Sequence, residues 1–284
     1  MAERTMSMIK LPSWEEIPAL GQGTWGMAED HRRRDDEIAA LRTGVDLGLT
    51  VIDIAEVYAD GRTEELVREA LAGRRDDVFL VSKVTPENAT QTGTMRACER
   101  LLERLGTDRL DLCLLHGRHP APLAETIEAF TDLMTRGLIR HWGVSNFDVP
   151  DLVELTGVLG GTAVETDQVP YDLTRRGIEW DLLPRCREAG LPVMAYSPLE
   201  LGRMPDHPAL VQVAERHGAT PGQVGLAWLL GQDGVCAVSK ASTPGRVREN
   251  RAAIEVTLTE DDLAELDRAF PPPTGPRPLE TLSS

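Results

Sequence analysis

Val51-Ile52-Asp53-Ile54-Ala55-Glu56-Val57-Tyr58 is the stretch where an apolar run ends in two reactive side chains. With the residues before it the run reads LTVIDIA, a β-branched apolar segment of the kind that forms a strand covered on both faces. Asp53 stands near its end, and an acid there is costly unless a cation meets it. Tyr58 falls in the turn-rich segment that leads into Ala59-Asp60-Gly61, and a helix opens at Arg62-Thr63-Glu64-Glu65. A phenol on the loop beyond a buried carboxylate is a candidate proton donor.

Outward from this strand the chain keeps a regular rhythm. A hairpin is expected over 8–18 and a first strand over 19–23. Further strands are expected at about 50–54, 78–84, 110–115, 139–144, 163–169, 192–196 and 235–238. Helices are expected at 35–47, 63–72, 93–105, 123–135, 149–159, 178–188, 208–217, 221–230, 244–253 and 260–269. Each strand-helix pair takes roughly 25–40 residues, the spacing of βα units in a parallel sheet. Eight such units predict an α/β fold, a closed (β/α)8 TIM barrel with an N-terminal β-hairpin and extra C-terminal helices. No linker or low-complexity run interrupts 1–284, so one barrel domain is expected, and the Pro-rich tail over 271–284 should be irregular.

Composition narrows the function. A net charge of −16 speaks against a nucleic-acid groove, which needs clustered Lys and Arg. The four cysteines, Cys98, Cys113, Cys186 and Cys236, are widely spaced and read as buried free thiols in a reducing compartment. No apolar run reaches membrane length and the N-terminus lacks a signal-peptide core, so a cytoplasmic protein is expected.

The expected strand ends carry Asp53, Lys83, His116, Ser145-Asn146, Gln168, Tyr196 and Lys240. In a barrel these ends surround one mouth, where active sites sit. Asp53 and Lys83 alone could be a structural ion pair, His116 a core histidine and Tyr58 a packing residue with a wet hydroxyl. Together they form a proton-delivery site. A lysine cation beside Tyr58 should lower a phenol pKa that is ordinarily roughly 10, Asp53 could supply the counter-ion, and His116 could orient a carbonyl oxygen or share its proton.

Three other motifs compete. Gly21-Gln22-Gly23-Thr24-Trp25-Gly26 matches G-x-G-x-x-G, but the expected helix starts too late and Asp53 comes too late for a dinucleotide fingerprint, so these glycines read as a tight first loop. His116-x-x-His119 has no matching acid pair, which leaves no metal expected. No G-x-S-x-G elbow supports a serine nucleophile. The late segment VSKASTPGRVREN is more telling. It opens a helix at Pro244 with Ser242 or Thr243 as cap, and a helix N-terminus flanked by Lys240 and Arg246 suits a phosphate.

The chain resembles the aldo-keto reductase superfamily in LGQGTW, VIDIAEVYADGRTEELVREAL, VSKV, LDLCLLH, GLIRHWGVSNF, VETDQVPYDL, VMAYSPLELG and VSKASTPGRVREN, in the family's order. The resemblance implies an NADPH-dependent reductase of aldehydes or ketones. Asp53, Tyr58, Lys83 and His116 match the catalytic tetrad, with Tyr58 as general acid. Ser145, Asn146 and Gln168 match the residues that hold the nicotinamide carboxamide, and Tyr196 the aromatic that stacks on its ring. Ser197, Leu199 and Gly202 match the pyrophosphate loop. Lys240, Ser242, Thr243, Arg246, Glu249 and Asn250 match the adenosine and 2′-phosphate group. Thr24 and Trp25 sit where cofactor and substrate are lined, and Gly117 and Arg118 replace the Trp-Pro that follows the histidine in many members. Ala241 stands where many members have a serine. Alternatives within the resemblance are a cofactor-binding regulatory subunit and an NAD-linked alcohol dehydrogenase. The expected partner is a small carbonyl compound, and a monomer or weak homo-oligomer is expected.

Overall fold

The computed structural model describes residues 4–200 and 207–281. A two-stranded antiparallel hairpin, β1 (Met8–Lys10) and β2 (Glu16–Pro18), comes first. Eight strands follow: β3 (Leu20–Gly23), β4 (Val51–Asp53), β5 (Phe79–Val84), β6 (Leu110–Leu115), β7 (Ile139–Ser145), β8 (Asp167–Pro170), β9 (Val193–Tyr196) and β10 (Val235–Lys240). They close in the order β10-β3-β4-β5-β6-β7-β8-β9, every pair parallel, so the expected barrel and hairpin are both present. The helices are α1 (Arg34–Asp46), α2 (Arg62–Ala70), α3 (Gln91–Leu105), α4 (Leu123–Thr135), α5 (Val149–Gly157), α6 (Leu182–Glu188), α7 (Pro208–His217), α8 (Pro221–Leu230), α9 (Pro244–Ala252) and α10 (Glu260–Ala269).

Strand parity decides what faces the lumen. Val51, Val81, Leu112, Leu114, Met194, Cys236 and Val238 form the inner core, while Ile52, Leu80, Cys113, Ala195 and Ala237 face the helices. Side chains alternate with period two. Asp53, two residues after Val51, therefore returns to the lumen one layer higher, as do Lys83 after Val81, Tyr196 after Met194 and Lys240 after Val238. Leu11 and Ile17 of the hairpin join the same inner core and close the opposite end. That end is sealed by charge: Arg140 bridges Glu15 at 2.8 Å and Asp111 at 3.0 Å, and Arg75 meets Asp111 at 2.8 Å. The mouth at the strand C-termini carries the open cleft.

Some element bounds differ from the sequence reading. The strand expected from 163 begins at Asp167, because Gly160 (φ +84°) turns the chain into a 3-10 turn over Gly161–Ala163. The helix expected from 178 begins at Leu182, where the Asp181 carboxylate accepts from the Leu182 N–H. The glycine-rich segment is not wholly a loop. Gly21 and Gly23 lie in β3, and a Cβ on Gly21 would come within 2.7 Å of Val51 Cβ. Gly26, at φ +74°, makes the turn.

Candidate active site

The barrel mouth opens into a cleft of about 1010 Å3 whose walls include Asp53, Tyr58, His116, Asn146, Gln168, Tyr196 and the segment from Val238 to Thr243. Lys83 lies beneath the floor, 1 % exposed. Its ammonium donates to both carboxylate oxygens of Asp53 at 2.7 and 2.8 Å and to the Ile54 carbonyl at 2.8 Å. It also stands 3.5 Å from the Tyr58 hydroxyl. An ammonium has three N–H donors, so these four acceptors share them, with Tyr58 the most distant. Gln168 Nε2 donates to the same carboxylate at 2.9 Å, so Asp53 is held from two sides.

Electrostatics here differ from the sequence expectation. Burial of the Tyr58 phenol pushes its pKa up, and the opposing pull of Lys83 does not cancel that rise. Tyr58 therefore keeps its proton, the form in which a phenol can donate one. Burial alone would depress Lys83, but the Asp53 carboxylate, with the hydrogen bonds to Asp53 and to the Tyr58 hydroxyl, outweighs it and the ammonium is retained. His116 is pushed down to about 3, by burial and then by the Lys83 charge, and is neutral at physiological pH. Its ring meets Tyr58 edge-on with centroids 6.3 Å apart.

The adjacent wall comes from the loop after β7. Asn146 takes a left-handed conformation (φ +57°), which asparagine tolerates better than most residues. Its Nδ2 donates to the His116 carbonyl at 3.0 Å and to Ser145 Oγ at 3.1 Å, while its Oδ1 accepts from the Tyr196 hydroxyl at 2.9 Å. Ser145 is fully buried and donates to the Gln168 carbonyl at 2.7 Å.

The far end of the cleft is cationic. Lys240 and Arg246 line it, together with the N-terminus of α9, whose cap Thr243 accepts from the Arg246 N–H at 3.4 Å. Lys240 is depressed by burial and by the nearby Arg33. Arg246 pairs with Glu249 at 2.7 Å, Thr220 donates to Glu249 at 3.1 Å, and Asn250 donates to Ser239 at 3.1 Å. Ser242 Oγ is buried on this wall with no hydrogen-bond partner among the described residues. A buried polar atom without a partner is costly, and a ligand phosphate at this spot would supply one.

Most of the sequence-expected residues converge on this cleft, including Thr24, Trp25, Ser197 and Leu199. Gly202 lies outside the described residues. Gly117 and Arg118 are not among the described residues that line the cleft. The Arg118 guanidinium is held by Glu154 at 2.7 Å and the Ala121 carbonyl at 3.1 Å. Glu29, Arg33, Thr220 and Gly222 line the cleft and were not foreseen. Thr220-Pro221-Gly222 repeats the Thr243-Pro244-Gly245 pattern of the α9 cap, a signal that was available.

The family model for the aldo/keto reductase family matches residues 19–270. The chain belongs to the aldo/keto reductase family. It is 48% identical over 280 residues to methylglyoxal reductase YeaE of Escherichia coli K12, covering 97% of this chain and 99% of that protein. Among solved structures, an aldo-keto reductase from Klebsiella pneumoniae in complex with NADPH superposes at a TM-score of 0.95, with 45% identity over 98% of this chain and 100% of that one. A second Klebsiella pneumoniae aldo/keto reductase structure, with NADP and acetate, gives the same TM-score at 46% identity and the same coverage. In this aldo/keto reductase the barrel therefore follows a known backbone through the strand ends that carry the cleft.

Proposed function

We propose that this chain reduces aldehyde or ketone carbonyls to alcohols with NADPH, small aldehydes such as methylglyoxal being the substrate class. The observation that carries the reading is the Tyr58 hydroxyl, open to the cleft and backed 3.5 Å away by the ammonium of a buried Lys83–Asp53 pair. NADPH, when bound, supplies the hydride. The chain's own residues supply the proton and the orientation. Tyr58 holds a proton that burial prevents from leaving spontaneously, and as that proton moves to a substrate oxygen, the Lys83 cation stabilises the phenolate left behind. Asp53 keeps Lys83 charged and fixed. Neutral His116 donates a ring N–H to the substrate oxygen without competing as an acid.

The cleft suits the cofactor in its volume of about 1010 Å3, in the cations Lys240 and Arg246 at one end and in the Ser242 Oγ that lacks a partner among the described residues. Lys240, Ser242, Thr243, Arg246, Glu249 and Asn250 would hold the adenosine and its 2′-phosphate, with Ser197 and Leu199 at the pyrophosphate. Ser145, Asn146 and Gln168 would hold the carboxamide, and Tyr196 and Thr24 would flank the nicotinamide. Trp25, 41% exposed at the rim, would line the substrate side. Among the described residues no helix is long and apolar enough to cross a membrane, and we place the enzyme in the cytoplasm as a monomer or weak homo-oligomer.

The test is Tyr58→Phe, followed by NADPH absorbance with a panel of aldehydes. The variant should bind NADPH with unchanged affinity, by protein fluorescence quenching, and lose about 100-fold or more in kcat. Turnover within a few-fold of wild type would remove Tyr58 from its role.

A further inference from the structure

Two residues before Tyr58, Glu56 does something none of the expected roles covers. It is not among the described residues lining the cleft, and its side chain is 10% exposed. Its carboxylate turns away, toward the loop after β5. Oε1 accepts the Thr85 backbone N–H at 2.7 Å and Asn88 Nδ2 at 3.0 Å, and Oε2 meets Arg100 of α3 at 3.3 Å. The Glu56 N–H donates to the Lys83 carbonyl at 3.4 Å. The loop carrying Tyr58 is thus fastened to the strand and loop that carry Lys83.

The receiving loop is itself rigid. The Asn88 N–H donates to the Thr85 carbonyl at 3.0 Å, Thr94 Oγ1 to the Asn88 carbonyl at 2.9 Å, and Thr126 Oγ1 to the Ala89 carbonyl at 2.5 Å. The Tyr58 loop takes an uncommon backbone path. Ala59, Asp60 and Gly61 follow in succession at φ +48°, +54° and +89°, and two of the three are not glycine. Backbone of that kind persists only where its surroundings over-determine it. The contact it must preserve, Tyr58 hydroxyl to Lys83 at 3.5 Å, is already at the limit of a hydrogen bond.

We propose that Glu56 is a positioning residue: by bonding the Thr85 amide it sets the Tyr58 phenol over the Lys83 ammonium. The inference rests on the proton-donor reading of Tyr58 for its kinetic consequence, but not for its structural one. What matters is an acceptor of the right reach, so glutamine should serve and the shorter aspartate should not.

The experiment compares Glu56→Gln, Glu56→Asp and Glu56→Ala by two readouts. The chain has three tyrosines, and 13Cζ-tyrosine labelling of the free protein gives a Tyr58 resonance identified by its loss in Tyr58→Phe. That resonance should shift in Glu56→Asp and Glu56→Ala and stay near its wild-type position in Glu56→Gln, with Tyr171 unmoved throughout. Per NADPH-binding site, kcat should fall on the order of 10–100-fold in Glu56→Ala, somewhat less in Glu56→Asp and under threefold in Glu56→Gln, at constant NADPH Kd. If Glu56→Ala does not fold, the order of the glutamine and aspartate variants decides. A Tyr58 resonance indifferent to Glu56, or a glutamine variant worse than the aspartate one, overturns the proposal. A wild-type protein that turns over no carbonyl overturns the proposed function instead, and the resonance still reports on Glu56.

Discussion

His116 shows how a single ring is set by its surroundings. Its sequence neighbours, LDLCLL before it and a glycine after, say only that a strand ends there. Burial and the Lys83 charge push it down to about 3. The folded ring binds fewer protons than the unfolded one between about pH 3 and 6.5, so the stability it contributes is complete above the ordinary histidine value and is lost as pH falls toward 3. The catalytic consequence is a kcat/KM profile without a histidine limb: between pH 5 and 8, 15N spectra of His116 should stay in the neutral form, and a ring titrating near pH 6.5 would contradict the site electrostatics. The residue types were legible from sequence because Asp53, Lys83 and His116 are polar where strands should be apolar. The direction of the Tyr58 shift was not. It depends on how much water the fold removes from the phenol, and that burial outweighs the lysine beside it.

At the scale of elements, α2 carries a carboxylate that no sequence pattern explains. Glu64 is fully buried, neither oxygen has a hydrogen-bond partner among the described residues, and Arg104 of α3 stands 3.6 Å away at a half-exposed position. Burial raises its pKa to about 7. The folded carboxyl then binds more protons than the unfolded one between about pH 4.5 and 7. Stability is greatest below that window and falls as pH rises through it. Glu64→Gln should therefore stabilise the protein by about 1–3 kcal/mol at pH 8 and by progressively less toward pH 5. Urea unfolding at the two pH values checks this, and a pH-independent difference would contradict it. Helix starts fared better in the sequence. Thr220, Thr243 and Thr259 cap α8, α9 and α10, each accepting from a backbone N–H three residues on, because the capping pattern is local. The misplaced starts of β8 and α6 lie where a glycine turn or an aspartate cap sets the start later than the pattern suggested.

At the scale of the whole molecule, the barrel depends on how closely its helices approach its strands. Gly44 in α1 sits directly over Gln22 of β3, whose Nε2 is tied to the Leu41 carbonyl at 3.2 Å and the Leu49 carbonyl at 3.0 Å. A Cβ on Gly44 would lie 2.1 Å from the Gln22 amide. Glycine to alanine inside a helix ordinarily stabilises by about 1 kcal/mol. Here the sign should reverse, with Gly44→Ala costing about 2 kcal/mol or more through the displaced, buried amide. Thermal unfolding would show it, and an unchanged or raised Tm would refute the close contact. By itself the sequence determined the number of strands, their period-two lumen face and the polar residue at each strand end, because these follow from local apolar patterning and from the distance between βα units. Only the tertiary structure decided which of those polar groups touch. It buried Lys83 beneath the floor, turned Arg118 away to Glu154, brought Arg33 and Thr220 to the cationic end and set Glu56 on the Thr85 amide. Contacts between loops from different strands are fixed by barrel closure and by competition for hydrogen-bond partners, and neither is written in the spacing of residues along one strand.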